Sequence, residues 1–325
     1  MKTLSRWLRA AGLVLGVATL TSAAHGEKRV VGYLPNWIDL AAFSQSFAFD
    51  KLTHLNLAFE NPRDAEGNLS FQRQNALVIE RARAAKVKVL LSIGGGGAAE
   101  DPLLKARYAE LLGDERRAGF VAKLVAVIDR HQLDGLDVDL EGPTITADYG
   151  AFIADLAAVL KPKGRLLTAA LSQGYGGNRV PDASLQHLDF LNIMAYDAVG
   201  SWAPERPGQH ASLENAGKAV DYWLGRGVPA SKAVLGVPFY GYGFGTHYRK
   251  SAYGYAEILK LYPGAERSDQ VGDTIWYNGM ATIEAKTRLV MERKLGGVMI
   301  WSLNHDGRGE QSLLGVIERG LKASE

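Results

Sequence analysis

Eight short runs rich in Val, Ile and Leu alternate with longer amphipathic segments along the whole chain. The runs lie at 29–35 (RVVGYLP), 52–60 (LTHLNLAFE), 87–95 (VKVLLSIGG), 133–141 (LDGLDVDLE), 165–171 (RLLTAAL), 188–196 (LDFLNIMAY), 233–241 (AVLGVPFYG) and 296–303 (GGVMIWSL). Clear helical patterns fall at 115–130, 146–160, 211–225, 283–294 and 311–322. Near-continuous apolar strands separated by helices point to a parallel sheet covered by helices. Eight such units predict an α/β chain folded as a single-domain (β/α)8 TIM barrel, with at most a short excursion between strands seven and eight. A doubly wound sheet, the main rival, ordinarily needs fewer strands or a second domain at 325 residues.

In such a barrel the working residues sit at the carboxyl ends of the strands. Here Ser92, Asp139, Glu141, Tyr196, Asp197, Tyr240 and Trp301 accumulate at those ends. The fourth run, continued as DGLDVDLEGP over 134–143, is the richest. Side chains alternate faces along a strand, so Asp137, Asp139 and Glu141 share one face while Leu136, Val138 and Leu140 take the other. The acids then point into the barrel, with Glu141 nearest its open end. Asp134 has the wrong parity for that row. Like charges this close cannot all ionise cheaply, and burial raises a carboxyl pKa further. The arrangement can hold Glu141 protonated near neutral pH, as a general acid requires. A solvated acidic turn would not alternate with Leu and Val. A metal site of hard oxygen ligands is a further alternative, but the seven His show no HExxH-like pairing, and no metal or cofactor is expected.

The amino terminus reads as a leader. Lys2, Arg6 and Arg9 precede an apolar stretch at 10–20 (AAGLVLGVATL) and small residues suited to cleavage after Ala24. The expected division is a signal peptide at 1–24 and a catalytic barrel at 25–325, in a secreted or periplasmic protein. The apolar stretch is short for a bilayer span, so no membrane attachment is expected once it is removed; an uncleaved anchor is the alternative. Cleavage takes the 37 Lys and Arg down by three, against 35 Asp and Glu. The remainder is close to neutral and gives no reason to expect a nucleic-acid partner. The chain has no cysteine, which excludes disulfides, thiolate catalysis and cysteine-ligated metals. The GGGG at 94–97 lacks the Lys-Ser/Thr of a P-loop, and GYGFG at 241–245 is no dinucleotide motif.

DGLDVDLE resembles the DxxDxDxE signature of glycoside hydrolase family 18, the chitinases and endo-β-N-acetylglucosaminidases. LLSIGG at 90–95 resembles the family's SxGG strand, MAYD at 194–197 its MxYD motif, GVPFYG at 236–241 its seventh-strand motif, and Trp301 its terminal tryptophan. These matches run in family order from about Gly32 to Leu303. The resemblance implies a mechanism without an enzyme nucleophile, in which the substrate's own 2-acetamido oxygen attacks the anomeric carbon. It implies Glu141 as acid and later base, Asp139 as the partner of the acetamido group, Asp137 sharing a proton with Asp139, and Tyr196 donating to the acetamido oxygen. Asp197 would bind the distorted sugar, and Trp301 would floor the site before the scissile bond, although GGVMIWSL also suits a core tryptophan. Tyr33, Phe59, Met194 and Tyr240 match pocket positions, and Trp202 a groove aromatic. Ser92 and Asp134 are expected as supports behind the acids.

Two departures stand out. Gly96 follows SxGG where the family often has Trp, so the platform for the sugar past the cleavage point is in question. Tyr242 follows PFYG where Arg is frequent. The segment between strands seven and eight is short for a groove-walling insertion, which favours an open cleft and endo-acting, non-processive cleavage. The expected function is retaining hydrolysis of β-1,4-linked N-acetylglucosamine, in chitin or chito-oligosaccharides, by a monomer whose partner is that oligo- or polysaccharide. An endo-β-N-acetylglucosaminidase acting on N-glycan or peptidoglycan is the close alternative. A chitinase-like lectin is the alternative of another class, though such proteins typically lose one of the acids kept here; an unrelated barrel with a chance acidic strand is the last.

Overall fold

The computed structural model describes residues 28–323. The leader expected at 1–24 lies outside the described residues. Among the described residues there are twelve strands: β1 (Arg29–Pro35), β2 (His54–Ala58), β3 (Lys88–Gly94), β4 (Gly135–Asp139), β5 (Leu166–Leu171), β6 (Phe190–Ile193), β7 (Ala233–Pro238), β8 (Tyr240–Gly243), β9 (Tyr253–Gly254), β10 (Gln270–Val271), β11 (Ile275–Trp276) and β12 (Gly297–Trp301). Strands β1 to β7 and β12 pair in parallel and close into a barrel, β12 joining β1 to β7. Helices lie between successive barrel strands, as the alternation predicts.

The helix Asp114–Arg130 shows why these segments fold as they do. Asp114 and Glu115 sit in its first turn and Arg130 in its last, each complementing the helix dipole. Phe120, Val121, Leu124, Val125 and Ile128 form one buried stripe. That stripe joins the large apolar layer between helices and sheet, which also takes Leu136 and Val138 from β4 and Leu140 just past it. A second, smaller cluster plugs the barrel interior, built from Val31, Tyr33, Ala58, Ala170, Phe190, Val234 and Met299. The alternation of β4 thus separates the two layers, leaving Asp137 and Asp139 on the inner side.

Strand seven ends earlier than its apolar run. Pro238 has no N–H to extend a ladder, and the chain turns at Phe239 into β8, which belongs to a separate four-stranded antiparallel sheet ordered β10-β11-β8-β9. With the helix Tyr255–Leu261, this sheet makes the excursion before β12 a small folded unit.

Asp134 is not behind the inward-facing acids. It precedes β4 at the amino-terminal rim, and its Oδ2 accepts from the Val89 N–H at 2.8 Å. Asp189 does the same for Leu167 N–H at 2.8 Å, and Thr53 for Val30 N–H at 2.9 Å. Each closes the N–H of the second residue of a neighbouring strand, whose first N–H donates to a backbone carbonyl, which explains a carboxylate of the wrong parity. Asp134→Ala leaves the Val89 N–H without that acceptor and should cost about 2 kcal/mol of stability. Thermal unfolding should show a lower Tm, with turnover per folded molecule unchanged.

Candidate active site

Asp137 is fixed by donors from four other barrel strands. Asp137 is fully buried. Its Oδ2 accepts from Tyr33 Oη at 2.6 Å and Ser92 Oγ at 2.8 Å; its Oδ1 accepts from Thr168 Oγ1 at 2.6 Å and Asn192 Nδ2 at 3.2 Å. The β3–β4–β5 register aligns Ser92, Asp137 and Thr168 across the barrel wall. Burial raises the Asp137 pKa, and the four hydrogen bonds only partly offset it.

Asp139 follows on the same face, and burial, then Glu141, then Asp137 hold its pKa well above the carboxylate range. Its Oδ1 is buried with no hydrogen-bond partner in the protein. An unpartnered acceptor in such a place is costly unless a ligand supplies the donor. Glu141 lies just beyond β4, where its backbone N–H donates to Thr144 Oγ1 at 2.8 Å. Its carboxyl is pushed up to about 8, first by burial, then by the charges of Asp197 and Glu100. The group therefore keeps its proton at neutral pH. Turnover that needs this proton should be full near pH 6 to 7, on the scale set by that value, and should fall as pH rises through about 8. A kcat/KM profile with no alkaline limb in that range would contradict the assignment.

Glu141, Met194, Tyr196, Asp197, Trp202 and Tyr242 line a cavity of about 660 Å³ that also takes in Gly96, Glu100 and Tyr175. Tyr196 Oη lies 3.8 Å from Met299 Sδ. Asp197 adopts a left-handed backbone (φ 61°), and its Oδ1 accepts from Tyr240 Oη at 2.6 Å, with the buried His210 Nδ1 at 3.3 Å. Trp301 stacks on Phe59 (5.5 Å between centroids, 20° between planes), and Phe59 stacks in turn on Trp37 (6.3 Å, 28°). Phe59, Trp301, Met194 and Tyr196 all pack on the inner barrel cluster. Trp202 is exposed and meets Tyr242 edge-on at 5.6 Å.

Two expected pocket residues act on the acids instead. Tyr33 is 1% exposed and spends its hydroxyl on Asp137; Tyr240 is 4% exposed and spends its hydroxyl on Asp197. Tyr33 reaches the site from β1 and Tyr240 from β8, both as buried rings. Ser92 stands behind Asp137 as expected. Thr168 and Asn192 escaped the sequence reading, although each is a lone polar residue on the inner face of an apolar strand, a signal that would have found them. Trp37, Tyr175 and His210 come from loops, where periodicity carries no information. Among the described residues, no three His, Cys, Asp or Glu side chains are grouped to hold a metal ion.

The family model for glycosyl hydrolases family 18 matches residues 29–306. The chain belongs to glycosyl hydrolase family 18. The GH18 chitinase ChiB of Flavobacterium johnsoniae superposes with a TM-score of 0.85 at 37% identity, covering 91% of this chain and 94% of that one. Chitinase-3-like protein 2 of Homo sapiens is 26% identical, covering 94% of this chain and 96% of that protein. Probable chitinase 10 of Drosophila melanogaster is 28% identical over 72% of this chain, which spans only 13% of that longer protein. As a family 18 member with this barrel and its acids in place, the chain is a glycoside hydrolase of the chitinase type.

Proposed function

We propose that the chain hydrolyses β-1,4-linked N-acetylglucosamine in chitin or chito-oligosaccharides, with retention, using the substrate's acetamido group as nucleophile. The observation that carries this reading is the buried, unpartnered Oδ1 of Asp139 between Asp137 and Glu141. An acetamido N–H is the donor such an acceptor lacks. Asp139 then holds and polarises that group and balances the positive charge of the oxazolinium intermediate. Asp137, held by its four donors, shares the proton that moves between the two aspartates. Glu141 protonates the leaving oxygen and later activates water. Tyr196 donates to the acetamido oxygen, Asp197 and Met194 contact the distorted sugar, and Trp301 floors it. The exposed Trp37, stacked on Phe59, extends that aromatic surface outward. The leader-like amino terminus supports a secreted or periplasmic location, and a monomer suffices for the site.

Incubation with N-acetylglucosamine tetramer and an N-glycopeptide, with products read by mass spectrometry, tests the reading. Cleaved tetramer and intact glycopeptide are expected. The reverse would make the chain an endo-acting deglycosylase. Binding without cleavage of either would make it a lectin, a reading the intact acids oppose.

A further inference from the structure

Gly96 and Gly97 leave the wall beside Glu141 bare. A Cβ on Gly96 would lie 3.7 Å from Glu141 Oε1, and one on Gly97 would meet nothing within 4 Å. The loop after β3 thus brings no side chain from these two positions to the leaving-group side of the acid. Another loop supplies a ring there. Tyr175 follows β5, lines the cavity with Glu141 and is 50% exposed. Half-exposed tyrosines on loops are normally free to move, but this one is pinned. Its carbonyl accepts from Gly142 N–H at 3.1 Å, its N–H donates to Ser172 Oγ at 3.0 Å, and Arg179 donates to the Gly142 carbonyl. Its ring fills the space that a side chain at 142 would need: a Cβ on Gly142 would fall 2.2 Å from Tyr175 Cζ. Gly142 also carries φ +47°, so glycine suits this position on both counts. Partial burial, then the charges of Glu141 and Glu100, raise the phenol pKa and keep the hydroxyl neutral.

We propose that Tyr175 is the platform for the sugar immediately past the scissile bond, and that with Trp202, which follows β6, it forms the leaving-group site in place of a side chain at positions 96 and 97. This inference rests on the glycosidase reading above. A flat ring held rigidly against the residue that follows the acid offers a sugar's C–H face an apolar surface at little entropic cost.

The test compares two substrates of the purified protein. N-acetylglucosamine tetramer needs sugars past the bond, whereas the preformed oxazoline of the N-acetylglucosamine dimer carries none. Tyr175→Ala should lower the ratio of tetramer to oxazoline kcat/KM about tenfold, the scale of a well-packed aromatic contact. Tyr175→Phe should keep the ratio within about twofold, since the hydroxyl is not the contact. A Tyr175→Ala protein that loses both activities equally, or an unchanged ratio, would overturn the platform. Wild-type protein inert toward both substrates would sink the glycosidase reading, and the platform with it.

Discussion

Glu141→Gln should lower turnover of N-acetylglucosamine tetramer by about a thousandfold or more, within the range that a positioned general acid contributes. The amide keeps the shape of the carboxyl and loses only its transferable proton. Oligosaccharide affinity should therefore stay within about threefold of wild type when measured by calorimetry, because the proposed reading gives binding to the aromatic surfaces. The same substitution has an opposite signature in stability. A carboxyl whose folded pKa lies near 8 binds its proton more tightly in the folded than in the unfolded state. Its favourable contribution is fully present below the unfolded carboxylate pKa and is lost as pH rises through about 8. Above that pH the wild type holds a partly buried charge beside Asp197 and Glu100, and the glutamine variant does not. Thermal unfolding at pH 9 should thus rank the inactive variant above the wild type. Near-equal turnover of the two proteins would remove Glu141 from the role of acid.

Asp139→Asn should be nearly as damaging, with a loss of roughly 4 kcal/mol of transition-state stabilisation, or about a thousandfold in kcat. Asparagine fills the same space and can still accept a hydrogen bond from an acetamido N–H. It cannot offset the positive charge that develops as the oxazolinium ring closes. The change should therefore appear in kcat with KM little altered, the pattern of an interaction made only in the transition state. A raised KM with unchanged kcat would make Asp139 a ground-state binding residue and displace the substrate-assisted reading.

Legibility in the sequence followed the regularity of the backbone. The inward row of acids was readable because a strand repeats every two residues, and β4 obeys that repeat with Leu136 and Val138 in the outer core. Asp134 was misplaced because the amino-terminal rim uses carboxylates too, to close backbone N–H groups. Apolar runs place Tyr33 and Tyr240 at strand ends as pocket walls, and only Tyr33 belongs to a barrel strand. Exposure, however, depends on what covers a ring, and that comes from elements far away in the chain. The seventh apolar run, 233–241, overreaches its strand because Phe239 and Tyr240 continue its apolar character towards and into a different sheet.

The sequence by itself determined the barrel, its strand order and the face on which Asp137, Asp139 and Glu141 stand. Those follow from local periodicity, which each segment carries within itself. Only the tertiary structure decided which groups hold the acids and which rings meet the cavity. Tyr33, Ser92, Thr168 and Asn192 converge on Asp137 from β1, β3, β5 and β6, and their meeting depends on the register of a closed sheet. Tyr175 faces Glu141 because two loops, one after β4 and one after β5, interlock through a glycine with room for a ring. Closure and loop contact are long-range events, and no short stretch of sequence encodes them alone.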